Sequence, residues 1–163
     1  MGINIPGELA DLLNELGYTW PKSDESKVFE LGQDWLTFAG KLQPIAGEAA
    51  SAADKARTGN IGEAMEAFAK VWEDEDSATS VLDRAMIGSQ IVGGALFVCA
   101  AVVLALKISV IVQLTILLIQ IIQAIATAAV SFGATLAEIP IFKKLADIAI
   151  DMIVDKALEA VLG

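Results

Sequence analysis

Between Ala85 and Ala137 the chain carries a single charge. Ala85 to Leu106 has none, Lys107 interrupts, and Ile108 to Ala137, "ISVIVQLTILLIQIIQAIATAAVSFGATLA", has none again. Each run is longer than the roughly 18 to 20 apolar residues that cross a bilayer as a helix. Any fold for this chain must therefore place two long apolar stretches in lipid, in a core or in an interface.

The polar residues of the second run narrow the choice. Ser109, Gln113, Gln120, Gln123, Thr127 and Ser131 are spaced by 4, 7, 3, 4 and 4. At about 100° per residue they fall within roughly 80° of arc on a helix. A helix facing lipid all round has no use for three glutamines on one line, because buried amides need hydrogen-bond partners. Three settings fit: a core helix with a thin wet edge, a helix meeting a neighbour in an oligomer, and a membrane assembly whose stripe faces a pore or another helix. Ser89 and Gly93 in the first run add a small-xxx-small pair suited to close helix approach.

Charge divides the chain unevenly. Met1 to Arg84 holds 16 acids and 7 bases, whereas Ala85 to Gly163 holds 5 and 4. A net charge of −10 excludes a nucleic-acid partner, since phosphate binding needs a basic face. Histidine is absent and Cys99 is the one cysteine, which removes the commonest general base, most zinc sites and an internal disulfide. No nucleophile–base pair or metal constellation is visible, so an enzyme is not expected, and no cofactor or metal is called for. The N-terminus, "MGINIPGELADLLNELG", lacks a basic n-region before an apolar stretch, which predicts export, if any, without a Sec signal peptide.

The rest reads as an all-α chain in two parts, 1–86 and 87–163. Leu9, Leu12, Leu13 and Leu16 mark a short helix stopped by Gly17. Ser23 and Asp24 then offer helix-start residues. Val28, Leu31, Trp35, Phe38, Leu42, Ile45 and Ala49 alternate steps of three and four, the spacing of a coiled-coil seam, with Pro44 inside it. "RTGNIGE" reads as a hairpin turn at Asn60 and Gly62. A return helix repeats the seam with Ile61, Met65, Phe68, Trp72, Thr79, Leu82 and Met86. Trp35, Phe38, Phe68 and Trp72 are thus the expected hairpin core. "WEDED", Trp72 to Asp76, reads as a solvated face, because consecutive helical carboxylates cannot converge on one ion. After Glu138 and Pro140, Ile141, Leu145, Ile148 and Met152 predict the inner side of an amphipathic helix. Lys144, Asp147, Asp151, Asp155 and Glu159 predict its outer side.

Four segments in order, "INIPGELADLLNELGYTWPKSDE", "LGQDWLTFAGKL", "GEAMEAFAKVW" and "LKISVIVQLTILLIQIIQAIATAAVSFGATLAEIP", resemble a known family. It comprises the N-terminal WXG-like helical domains of actinobacterial polymorphic toxins exported by type VII secretion, including the N-terminal domain of CpnT-like outer-membrane channel proteins. The opening is similar to the family's I-x-(I/L)-P…W-P-x-(G/S)-D-E. One departure is clear: the family's Trp-x-Gly turn falls on Asn60-Ile61-Gly62, which keeps the glycine and lacks the tryptophan. The Tyr-xxx-Asp/Glu export signal is absent in standard form, and Trp72 to Asp76 has its spacing with a different aromatic.

The resemblance implies an elongated antiparallel hairpin extended by long apolar helices and a C-terminal amphipathic helix. It implies a non-catalytic secretion or translocation module, exported to the envelope or beyond and read by the type VII machinery or a small helical partner, or assembling with itself as a homo-oligomer. In the family such a module carries a C-terminal toxin domain; no toxin domain is read within these residues, which fits either a fragment of a longer protein or a short stand-alone relative. The alternative is a membrane-inserting or pore-forming protein, with 87–106 and 108–137 as a hairpin in lipid and Lys107 at its tip or snorkelling to an interface.

Overall fold

The computed structural model describes residues 2–128, 130–131 and 133–162. Ala129 and Phe132 of the long uncharged run, and Gly163, lie outside the described residues. Five α-helices and one 3-10 turn account for the ordered elements, with no strand among the described residues: α1 (Gly7–Glu15), α2 (Glu25–Gly59), α3 (Glu63–Trp72), α4 (Ala78–Thr127), the 3-10 turn Ala134–Glu138, and α5 (Ile139–Leu162). The chain is all-α, as expected. It forms two compact units, one of residues 1–27 with 98–163 and the other of residues 28–97. This partition does not coincide with 1–86 and 87–163.

Local chemistry sets the helix ends. Gly17, at φ +89°, closes α1, with its N–H on the Asn14 carbonyl at 3.0 Å and the Tyr18 N–H on that of Leu13 at 3.2 Å. Asp24 caps α2 by accepting the Ser26 and Lys27 N–H groups at 3.1 and 3.3 Å. α2 continues past Pro44.

The return of the hairpin is not one helix. α3 stops at Trp72, and the acidic segment is a turn rather than a helix face. Asp74 accepts the Asp76 N–H on its side chain at 2.8 Å and the Ser77 N–H on its carbonyl at 3.0 Å. Ser77 then caps α4 through the Ser80 N–H at 3.2 Å. Short polar side chains here satisfy the backbone locally, and that competes successfully with continuing the helix.

The first apolar run and the second as far as Thr127 form one helix, not a hairpin. α4 passes through Lys107 without a break, so that residue lies within a helix and at no tip. The expected lipid hairpin of 87–106 and 108–137 is therefore corrected. The reason is that nothing between the runs turns the chain: Lys107 is a good helix former and its charge is neutralised internally. α4 is long and apolar enough to cross a membrane by length and composition. It ends at Thr127, so Ser131 falls beyond the helix that carries the rest of the polar stripe.

In the unit built from both ends of the sequence, Leu9, Leu12 and Leu13 of α1 pack with Val110, Leu114 and Leu117 of α4 and with Ala146 and Ile150 of α5. The inward side of α5 differs from the expected one. Ile141, Leu145, Ile148 and Met152 are exposed, while Phe142, Ala146, Ile150, Ile153 and Val154 face the core. Polar ties fix this rotation. Tyr18 donates its hydroxyl to Asp151 and, at 3.0 Å, to Asp147, and Lys143 pairs with Glu15 at 2.6 Å. Both sides of α5 are apolar, and its acidic edge decides which one is covered.

Candidate functional site

The inward positions of α4 run 82, 86, 89, 93, 96, 100, 103, 107, 110, 114, 117, 121 and 124, each at least half-buried. They alternate steps of four and three without interruption, which is a heptad seam. Three of its members are Ser89, Gly93 and Lys107, and these decide what the seam can meet.

Gly93 meets Gly32 of α2. A Cβ on Gly93 would stand 2.9 Å from the Gly32 carbonyl oxygen, and one on Gly32 would stand 3.0 Å from that of Gly93. Only two glycines allow this approach. Phe29 and Phe97 close over the crossing with ring centroids 4.7 Å apart, and Ser89 turns its hydroxyl onto the Ala85 carbonyl at 2.6 Å. The small-xxx-small pair thus lies at a helix contact.

This crossing rotates α2 by one seam. Its inward residues are Gly32, Ala39, Ala46 and Ala53, seven apart, together with Val28, Leu42, Ala49 and Ala56. The large residues of the expected seam lie outside: Leu31 is 48% exposed, Trp35 37%, Phe38 46% and Ile45 54%. The physical reason is distance. Small residues let the two backbones approach and gain continuous dispersion contact, which leucine and phenylalanine would prevent. Leu31, Asp34, Trp35 and Phe38 line a surface cavity of about 330 Å³.

The four expected core aromatics are placed accordingly. Trp35 and Phe38 pair edge-on within α2, centroids 6.2 Å apart, on its exposed side. Phe68 and Trp72 pair within α3 at 5.6 Å and are half-buried. No ring contact joins the two pairs among the described residues, so these rings do not form the shared hairpin core expected of them. Asn60 and Gly62 do lie at the turn between α2 and α3. Gly62 has φ +112° and leads into α3, and the Asn60 amide donates to the Ala56 carbonyl at 2.9 Å, closing the end of α2. Arg57 and Glu73 bridge across at 3.3 Å.

Lys107, in sequence only an interruption of the apolar runs, marks a second polar site. Its ammonium is 2% exposed and donates to Glu25 Oε2 at 2.7 Å and to the Ser23 carbonyl. It also lies 5.8 Å from the centroid of the Trp20 ring, within cation–π range. The other oxygen of Glu25 accepts the Ile3 N–H. The Lys107 ammonium and then that N–H hold the Glu25 carboxyl down to about 2, from an ordinary value of 4.5. One carboxylate therefore ties the N-terminal segment and the start of α2 to the middle of α4. A cavity of about 310 Å³ adjoins this node, lined in part by Asn4, Trp20, Lys22, Asp24 and Lys107. The Trp20 indole N–H is buried without a hydrogen-bond partner among the described residues.

The polar stripe of α4 divides in two. Ser109, Gln113 and Gln120 are half-buried, whereas Gln123 and Thr127 are exposed. Gln120, Gln123 and Thr127 line a cavity of about 410 Å³ with Ala124, Thr135, Glu138 and Phe142. The hydroxyls serve the helix end. Thr127 donates to the Gln123 carbonyl at 2.8 Å, Ser131 to that of Thr127 at 3.0 Å, and Thr135 to that of Ala124 at 2.9 Å. The Ala124 and Thr127 carbonyls belong to the last turn, which has no intrahelical donors of its own.

Comparison with curated proteins and with solved structures returned no match. A family model, the WXG100 like domain, matches residues 4–147. That span takes in the N-terminal segment held by Glu25, the α2–α3 hairpin, all of α4 and the beginning of α5. Together with the all-helical architecture, it shows that the chain belongs to the WXG100-like domain family, a class of helical proteins related to type VII secretion.

Proposed function

We propose that this chain is a non-catalytic secretion module of a type VII-exported, toxin-like protein, acting through helix–helix assembly with the export machinery, a partner or itself. The observation that carries the assembly role is the arrangement of α2. Its small residues are spent on the intramolecular crossing, and its large apolar residues stand outside in heptad order. Contiguous exposed apolar surface of this kind marks an interaction site. In the other unit the outer side of α4 separately exposes Ile108, Val112, Ile116, Ile119 and Ile122. Family membership supports the export setting, and likeness to the CpnT-like channel proteins belongs to this proposal as well.

The test is export itself. A tagged full chain is expressed in a type VII-competent actinobacterium and in the same strain with its type VII ATPase inactivated, and the culture filtrates are compared. The proposal expects the chain in the first filtrate only. Equal amounts in both filtrates, or retention of a stable chain in the cells of both, would overturn it.

A further inference from the structure

The end of α4, the 3-10 turn and the start of α5 border the cavity of about 410 Å³, all within the unit built from both ends of the sequence. Gln120, Gln123 and Thr127 line it from one side of α4, at steps of three and four. Thr135 and Glu138 line it from the turn, three residues apart and so on one side of a 3-10 helix. Phe142 walls it from α5. The volume suits a small organic molecule or one long side chain.

The chemistry of this lining is one-sided. Thr127 commits its hydroxyl proton to the Gln123 carbonyl at 2.8 Å, and Thr135 commits its own to the Ala124 carbonyl at 2.9 Å. Each hydroxyl has only lone pairs left to offer. Glu138 is an exposed carboxylate without an ion-pair partner among the described residues. The lysines that follow it are engaged elsewhere, Lys143 with Glu15 at 2.6 Å and Lys144 with Asp147 at 3.7 Å. The side-chain amides of Gln120 and Gln123 have no hydrogen-bond partner among the described residues, and each can present its carbonyl oxygen. The C-terminal end of α4 adds the negative pole of a helix dipole.

Acceptors on separate elements, one full negative charge and an aromatic wall select among ligands. An anion would meet like charge at Glu138 and at the helix end. A hydrocarbon would strip water from five polar side chains and return no hydrogen bonds. A divalent metal ion would find one carboxylate, and no group of three His, Cys, Asp or Glu able to hold it stands together among the described residues. An ammonium is a point charge with three donors. A guanidinium carries five donors in one plane, enough to bond a carboxylate along one edge and further oxygens along the others, and its face stacks on an aromatic ring.

We propose that this cavity binds a guanidinium group, with Glu138 as the counter-charge, Gln120, Gln123, Thr127 and Thr135 as acceptors, and Phe142 as the stacking wall. The group belongs to a small free cation or to an arginine side chain of a partner polypeptide. The site goes beyond the export role and does not depend on it.

Titration of the isotopically labelled full chain with butylguanidinium, followed by the side-chain amide signals of Gln120 and Gln123, tests it. Saturable shifts are expected, with a Kd of about 1 mM for so small a ligand. Butylurea, neutral and of nearly the same shape, and butylammonium, of the same charge with fewer donors, are expected to bind at least about tenfold more weakly. Glu138→Gln, at an exposed position, should raise the Kd about tenfold, and Gln123→Leu about threefold, with the backbone amide spectra otherwise unchanged. The blocked tripeptide acetyl-Gly-Arg-Gly-amide separates the two sources. Binding as tight as that of butylguanidinium assigns the site to a partner's arginine, exclusion of the peptide assigns it to a free cation, and either result upholds the site. An absence of saturable shifts below about 20 mM would overturn it. Equal binding of butylurea or butylammonium would do the same, as would a Glu138→Gln chain that binds unchanged. These readouts use purified chain, so the site and the export proposal stand or fall separately.

Discussion

Gly32 and Gly93 stand backbone against backbone, each placing its carbonyl oxygen about where the other's Cβ would be: 2.9 Å from a Cβ on Gly93 and 3.0 Å from one on Gly32. This contact is the reason α2 presents alanine inward and phenylalanine outward. It also yields a prediction of opposite sign at adjacent positions. Gly93→Ala must push against the Gly32 carbonyl and should destabilise the chain by about 1–3 kcal/mol, the usual cost of overpacking. Gly94→Ala meets nothing within 4 Å and should stabilise by about 0.5–1 kcal/mol through helix propensity. Urea denaturation of the two variants beside wild type measures both. Equal shifts would show that the crossing is not close.

The outward seam predicts a similar contrast on α2. Ala39→Leu inserts a large side chain at a position that is 2% exposed and should cost about 1–3 kcal/mol. Phe38→Ala removes a half-exposed ring and should cost less than about 1 kcal/mol in dilute solution, because only part of its area is covered. Thermal denaturation at low protein concentration compares them. A larger loss from Phe38→Ala than from Ala39→Leu would mean that α2 faces the other way.

Lys107 predicts a coupled pair. Lys107→Met strands a carboxylate in a buried place and should destabilise by about 3–5 kcal/mol, as is usual when one partner of a buried ion pair is removed. Lys107→Met combined with Glu25→Leu removes both charges and should recover most of that loss, since the desolvation of both ions is relieved. A double-mutant cycle by chemical denaturation measures the coupling. Additive losses would show that the two residues act separately.

The same node sets an acid dependence. The folded-state value of Glu25, about 2, lies below its ordinary 4.5, so the unfolded chain takes up this proton first as pH falls. The contribution of Glu25 is full above about pH 5 and is lost between there and pH 2. Wild type should therefore lose stability more steeply than Glu25→Gln across that window, read from urea midpoints at pH 5, 4 and 3. Parallel slopes would contradict the assignment.

At the alkaline end the sign reverses. The bond to Asp151, then burial and the bond to Asp147, push the Tyr18 phenol well above its ordinary 10.0. Its contribution is present below pH 10 and is lost as pH rises beyond it. Tyr18→Phe should remove this alkaline loss while leaving the other groups unchanged. Unfolding midpoints of the two proteins at pH 9, 10 and 11 report it, and an unchanged difference between them would refute the bond.

Much of the fold is legible in the residues, for identifiable reasons. Gly17, Asp24 and Gly62 act at helix ends through backbone geometry and capping, which are local and visible in sequence. The choice of inward side is not local. α2 carries two neighbouring seams that share Val28, Leu42 and Ala49, one completed by glycine and alanine and the other by leucine, tryptophan, phenylalanine and isoleucine. Reading size as burial selects the second, whereas backbone approach at Gly32 and Gly93 selects the first. On α5 both sides are apolar, and the pairing of Tyr18 with Asp147 and Asp151 makes the choice from far away in sequence. Lys107 looks like an interruption until Glu25 is known to stand beside it. The carboxylate in "WPKSDE" that answers the lone cation of the apolar region was the available signal.

α2 shows its small residues inward and its large ones outward, and thiol labelling reads that directly. In a Cys99→Ser background, Phe38→Cys and Ala39→Cys are each treated with a maleimide over a dilution series that reaches the monomer. The thiol at position 38 should react at close to the rate of the unfolded chain on dilution, while the thiol at 39 should be slowed at least about a hundredfold under conditions that keep the helix folded. A protected thiol at 38 beside a freely reacting one at 39 would contradict it.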